Sequence, residues 1–118
     1  MILVKNVNGT SRFKPPSGYA NWLDYWMRQT NASAICCSAC FEMNDLVGAH
    51  VQKYNDEDRH IYIVPLCKKC NNRTDTFYVY TVGNISDILV PVPSNLDEEQ
   101  EEASQEANQS SSVPDIPS

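Results

Sequence analysis

Cys36, Cys37, Cys40, Cys67 and Cys70 are the residues of this chain whose type and spacing point most directly to chemistry. Cys37 to Cys40 and Cys67 to Cys70 are two CxxC pairs separated by 26 residues. A tight turn presents two thiolates at this spacing, and two such knuckles complete a tetrahedral Zn²⁺ site. Four thiolates leave no position for a catalytic water, so the pattern predicts a structural ion whose binding free energy, about 10–16 kcal/mol, is largely folding free energy. The spacer is longer than the roughly 15–20 residues of a minimal zinc ribbon and must hold ordered structure. Cys36 leaves a second pairing open, a CxxxC with Cys40; CxxC is the commoner knuckle, which favours Cys37. A redox reading of either pair needs a βαβ setting that the pattern does not supply.

The elements that must position these thiols follow from periodicity. Ile2 to Val7 reads as a strand and Asn8-Gly9 as the turn after it. Ser17 stands where an N-cap belongs, and Tyr19, Trp22, Leu23, Trp26 and Met27 follow at helical spacing, which predicts an amphipathic helix covering the zinc region. Leu46 to Lys53 and His60 to Leu66 read as the two strands of a hairpin that fills the spacer, with Tyr54 to Asp58 as its turn. Asn71 to about Thr76 reads as a short helix. Phe77 to Val82 and Ile88 to Val92 then read as a final strand pair joined at Gly83-Asn84.

Composition divides the chain unevenly. Of its 118 residues, those from 97 to 118 hold seven of the fifteen carboxylates and no Lys or Arg, leaving eight acids against nine bases in the rest. The net charge of −6 is therefore a property of the tail. That tail has almost no large apolar side chain to offset its ordering entropy, so it is expected to be a disordered acidic segment able to meet a basic partner or a basic face of its own chain. The apolar start is too short and wrongly flanked for a secretion signal, and no run approaches the roughly 18 apolar residues of a membrane span. These readings predict an intracellular, cytoplasmic protein without membrane contact, a setting in which paired CxxC motifs favour metal over disulfide.

Between the knuckles, Val47-Gly48-Ala49-His50-Val51, the return run Ile61-Tyr62-Ile63-Val64-Pro65-Leu66 and Cys67-Lys68-Lys69-Cys70-Asn71 resemble the HNH endonuclease family in its zinc-stabilised treble-clef form. The resemblance runs from Cys37 to about Asn72, under a third of the chain. It implies that His50 stands at the family's general base and Asn71 at its last metal-binding position. Together with a second divalent ion such as Mg²⁺, these would hydrolyse a phosphodiester. Ala49 occupies the place where the family has an Asp, and its central Asn has no counterpart between Asp58 and Leu66, so the catalytic metal site is degenerate. His60, Asp56 and Asp58 are the nearby residues able to rebuild one around His50.

Lys53, Arg59, Lys68, Lys69 and Arg73 are the candidate nucleic-acid contacts, five of the nine bases, gathered in the hairpin, second knuckle and following helix. The expected architecture is α+β: an N-terminal strand and amphipathic helix over 1–33, a treble-clef (ββα) zinc finger over 34–94, and the acidic tail over 95–118. The expected role is a zinc-stabilised interaction module acting on a protein or nucleic-acid partner in a regulatory or inhibitory way. The alternative is an HNH-type nuclease, and no small-molecule substrate is expected.

Overall fold

The computed structural model describes residues 1–10, 13–55 and 57–93. Asp56 and the acidic tail expected to be disordered lie outside them. The fold is α+β: one antiparallel five-stranded sheet and two helices. In chain order these are β1 (Ile2–Asn6), α1 (Trp22–Thr30), β2 (Leu46–Lys53), β3 (Tyr62–Cys67), α2 (Lys68–Asn71), β4 (Thr76–Val79) and β5 (Val90–Pro91). The spatial order is β4-β1-β2-β3-β5, so β1 lies inside the sheet between β2 and β4.

The hairpin of β2 and β3 is the centre of the sheet, with His50 opposite Ile63 and Leu46 opposite Cys67. The strand expected over 46–53 has those bounds; its partner begins at Tyr62 rather than His60. Tyr54 N–H donates to the Leu3 carbonyl at 3.0 Å, continuing the register of β1 against β2 by one pair. The expected final strand pair does not form. β4 pairs with β1 and β5 with β3, at opposite edges, because each finds a longer apolar partner strand there than the other could offer.

The first helix starts later than its apolar spacing suggests. Gly18 has φ +96°, which breaks the chain after Ser17, and Asn21 is the N-cap, its side-chain oxygen accepting from Asp24 N–H at 2.8 Å. The Asp24 carboxylate in turn accepts from Ala20 N–H, and Asn31 closes the helix in the left-handed region at φ 56°. Tyr19 lies outside the helix yet packs edge-on against Tyr25 with centroids 4.8 Å apart. The second helix is a single turn over 68–71, not 71–76.

Side chains alternate between the faces of a strand, so register assigns each residue to a face. One face of β2 and β3 carries α1, with Trp22 against His50; Trp26, 2 % exposed, donates its indole N–H to the Ile88 carbonyl at 2.8 Å. The other face holds Val4, Val51, Val64, Leu66, Phe77 and Val79, all buried. Among the described residues no helix is long and apolar enough to cross a membrane.

Candidate metal centre

The first knuckle is built by backbone hydrogen bonds. Cys37 N–H donates to the Glu42 carbonyl at 2.7 Å, and Phe41 N–H returns to the Cys37 carbonyl at 2.9 Å. Phe41 takes a left-handed φ of 69° to close the turn. Within it, the N–H groups of Ala39 and Cys40 point at Cys37 Sγ at 3.4 and 3.5 Å. Ser38 fixes the turn to the sheet, its N–H donating to the Pro65 carbonyl while its own carbonyl accepts from Tyr80 N–H, both at 2.9 Å.

The second knuckle straddles the junction of β3 and α2. Cys67 ends the strand and stands at the helix N-cap with extended backbone, and Cys70 follows on the helical turn. Asn6, on β1, clamps this turn: its amide donates to the Cys70 and Arg73 carbonyls, each at 2.9 Å. Knuckle, hairpin and helix thus follow one another in treble-clef order.

These two turns bring the sulfurs of Cys37, Cys40, Cys67 and Cys70 within 4.8 Å of one another, with Cys40 Sγ and Cys67 Sγ 3.6 Å apart. Tetrahedral Zn²⁺ with Zn–S bonds of about 2.3 Å needs sulfurs roughly 3.8 Å apart, so the donor set fits. Cys36 stands outside the group. Cys37, Cys67 and Cys70 are buried and Cys40 is exposed, which leaves one side of the cluster open to an entering ion.

The electrostatics agree with a cation there. Burial pushes the Cys37 thiol up, but the backbone N–H groups of Cys67, Cys40 and Ala39 outweigh it and bring it down to about 7. Burial pushes the Cys70 thiol well above its ordinary value, and the neighbouring sulfurs add to the rise. Buried thiolates this close repel each other unless a divalent ion balances them, and the ion would act here by holding the two turns together.

His50 lies on the α1 face of β2, 7 % exposed, enclosed by the rings of Trp22 and Phe13 at 5.1 and 5.9 Å. Its Nε2 is buried without a hydrogen-bond partner. Burial holds the ring near pKa 4, well below the ordinary 6.5, so it is neutral at pH 7. Asn71 is exposed on α2. His60 and Asp58 belong to a different arrangement: Asp58 accepts from His60 N–H at 2.9 Å and from the Tyr62 hydroxyl at 2.5 Å, with Lys53 Nζ at 3.9 Å. The His60 ring nitrogen Nε2 meets the Val92 carbonyl at 2.7 Å. Among the described residues, the four cysteines are the group of three or more His, Cys, Asp or Glu side chains whose ligand atoms converge.

The five candidate basic residues fall in two places, Lys53 and Arg59 around the β2–β3 turn, and Lys68, Lys69 and Arg73 on α2 and just after it. Lys53 is engaged with Asp58 and stands over the Tyr62 ring at 5.1 Å. Arg73 makes a two-pronged bond to Asp75 at 2.9 and 2.7 Å and covers the Phe77 ring. Arg59, Lys68 and Lys69 are exposed. Asn6 and Ser38, which support the two knuckles, carry no sequence signal because their partners are distant in the chain. Comparison with protein-family models, with curated proteins and with solved structures found no match to this chain.

Proposed function

We propose that this chain is a zinc-stabilised interaction module that acts on a protein or nucleic-acid partner in a regulatory or inhibitory way rather than through chemistry of its own. The observation that carries this reading is the convergence of the four sulfurs of Cys37, Cys40, Cys67 and Cys70 within 4.8 Å. A complete thiolate set closes the coordination of its ion, which suits a structural role. The ion would fasten the first knuckle to the start of α2, and through Ser38 and Asn6 to β3 and β1, making a small sheet rigid enough to present a surface.

A second reading, an HNH-type endonuclease, is favoured by the treble-clef order and by His50 on the first hairpin strand. In it His50 is the general base, and Asn71 and an added Mg²⁺ serve the phosphate. The closure of Trp22 and Phe13 around His50 weighs against it, since a general base must come within hydrogen-bond reach of the water it activates.

Native mass spectrometry for metal content, followed by plasmid nicking on the same sample with Mg²⁺, Mn²⁺ or Ni²⁺, tests both. A single zinc per chain without nicking is the expected result. Nicking that disappears in His50→Ala overturns the module reading in favour of the nuclease, and a folded chain without zinc removes its basis.

A further inference from the structure

The helix α1 covers the sheet over β2, β3 and β5. On the same face, β1 and β4 are left open, and register sets two rows of side chains across them. Leu3 pairs with Tyr78 on β4, and the Tyr54 N–H bond to the Leu3 carbonyl places Tyr54 on its other side. The first row is therefore Tyr54, Leu3, Tyr78, with both tyrosines 45 % exposed and Leu3 half-buried between them. The second row is Gln52, Lys5, Thr76, from the pairings of Lys5 with each neighbour. Lys5 is exposed.

One exposed cation flanks this second row. Gln52 donates its amide to the Arg59 carbonyl at 2.7 Å, bringing exposed Arg59 to one end. At the other end a shallow groove of about 500 Å³ is lined by Leu3, Thr76, Phe77, Tyr78 and Tyr80 with Arg73, whose charge is matched by Asp75. Two tyrosine rings two strands apart, about 10 Å, thus lie beside Lys5 and Arg59.

The geometry points to this open half of the sheet, centred on Tyr54, Tyr78 and Lys5, as a binding surface for single-stranded nucleic acid, the bases stacking on the tyrosines and the phosphates following the cations. The inference rests on the interaction-module reading and names its partner. Exposed rings on a strand pair, with Lys and Arg tracking a backbone, are what unpaired bases and phosphates require. A protein interface would place its aromatic residues around a core depleted of lysine, whereas Lys5 stands in the middle of this patch. Duplex reading needs an element that enters a groove; α2 is four residues long and α1 is packed on the sheet.

The test uses the zinc-loaded full-length chain and a fluorescein-labelled 15-nucleotide oligo-dT and oligo-rU, with a duplex of equal length, read by anisotropy at about 50 mM and 200 mM salt. The expected result is tighter binding of a single strand than of duplex, weakened by salt. Tyr54→Ala and Tyr78→Ala should each lose about tenfold, the two Phe variants should retain binding, and Lys5→Glu should weaken it. Zinc content and thermal melting of each variant separate a lost surface from a lost fold. No binding by the folded zinc protein, a preference for duplex, or indifference to the double Ala variant overturns the inference while leaving the module reading standing. A concentration-dependent dimer in sedimentation velocity that the double Ala variant abolishes assigns the face to self-association instead and also overturns it. Running the oligonucleotides on a gel afterwards detects cleavage, which would count against the module reading itself.

Discussion

His50 meets Trp22 edge to face beneath α1, with ring centroids 5.1 Å apart and planes at 84°. A neutral imidazole tolerates this enclosure better than a charged one, because its buried Nε2 has no hydrogen-bond partner to replace the water it would lose. The folded chain holds His50 near pKa 4 against an ordinary 6.5, so between these values the unfolded chain takes up the proton and the folded one does not. The contribution is fully present above pH 6.5 and is lost as pH falls towards 4, up to about 3 kcal/mol. Protonation of the thiolates would release a bound metal ion in acid as well, so the measurement is a difference. Urea unfolding of wild type and His50→Phe from pH 7.5 to 4.5 should show the variant gaining on wild type with acid. A constant gap would mean that His50 titrates normally.

Replacing a ligand and replacing its neighbour should have opposite outcomes. Cys70→Ser removes a donor from a buried set, and a site worth about 10–16 kcal/mol exceeds the 5–15 kcal/mol stability typical of a domain, so the chain should lose zinc and unfold. Cys36→Ser lies beside the set but outside it, and should keep its zinc, its far-UV circular dichroism and its melting temperature within a few degrees. Loss of zinc in both variants would mean that the first knuckle uses Cys36.

The parts of this structure that local pattern can carry were legible. The two CxxC pairs that converge and the alternation over Leu46 to Lys53 are both short-range signals, and the sheet's central hairpin followed from them. What failed was non-local. Phe77 to Val82 and Ile88 to Val92 have the composition of a hairpin, but β1, interior to the sheet, offers β4 a partner whose Val4 is buried with Phe77 and Val79, and local composition does not report that burial. Ser17 has the chemistry of an N-cap and lost to Asn21 because Gly18 takes a left-handed φ that no helix admits. The burial of His50 depends on Phe13 and Trp22 arriving from another part of the chain, and its residue type says nothing of that.

Gly48 is where α1 touches the sheet. A Cβ there would stand 2.5 Å from the Leu23 nitrogen and the Trp22 carbonyl carbon, backbone atoms that cannot swing aside. Gly48→Ala should therefore push α1 off β2 and cost about 1–3 kcal/mol, with more if the helix detaches. Zinc content should survive, because the cysteines do not depend on this contact, while the urea midpoint falls and tryptophan fluorescence shifts to the red as Trp22 and Trp26 meet water. An unchanged midpoint would mean that the helix sits farther from the strand than it does here.

Asn6 ties β1 to the second knuckle through two amide donations, to the carbonyls of Cys70 and Arg73. Groups that orient a metal's ligands commonly matter about 10–100-fold in affinity, and Asn6 acts on the backbone of a ligand rather than its sulfur, which argues for the lower end. Asn6→Ala should weaken zinc about tenfold in competition with a chromogenic chelator. Asn6→Asp should be worse despite its matching shape. The carboxylate can donate to neither carbonyl, it faces two acceptors, and it places a charge where the Asn6 side-chain oxygen is already buried without a partner. The order wild type, Ala, Asp in zinc affinity is the expected result. Equal affinity for Asp and wild type would show that the amide donations do not hold the turn.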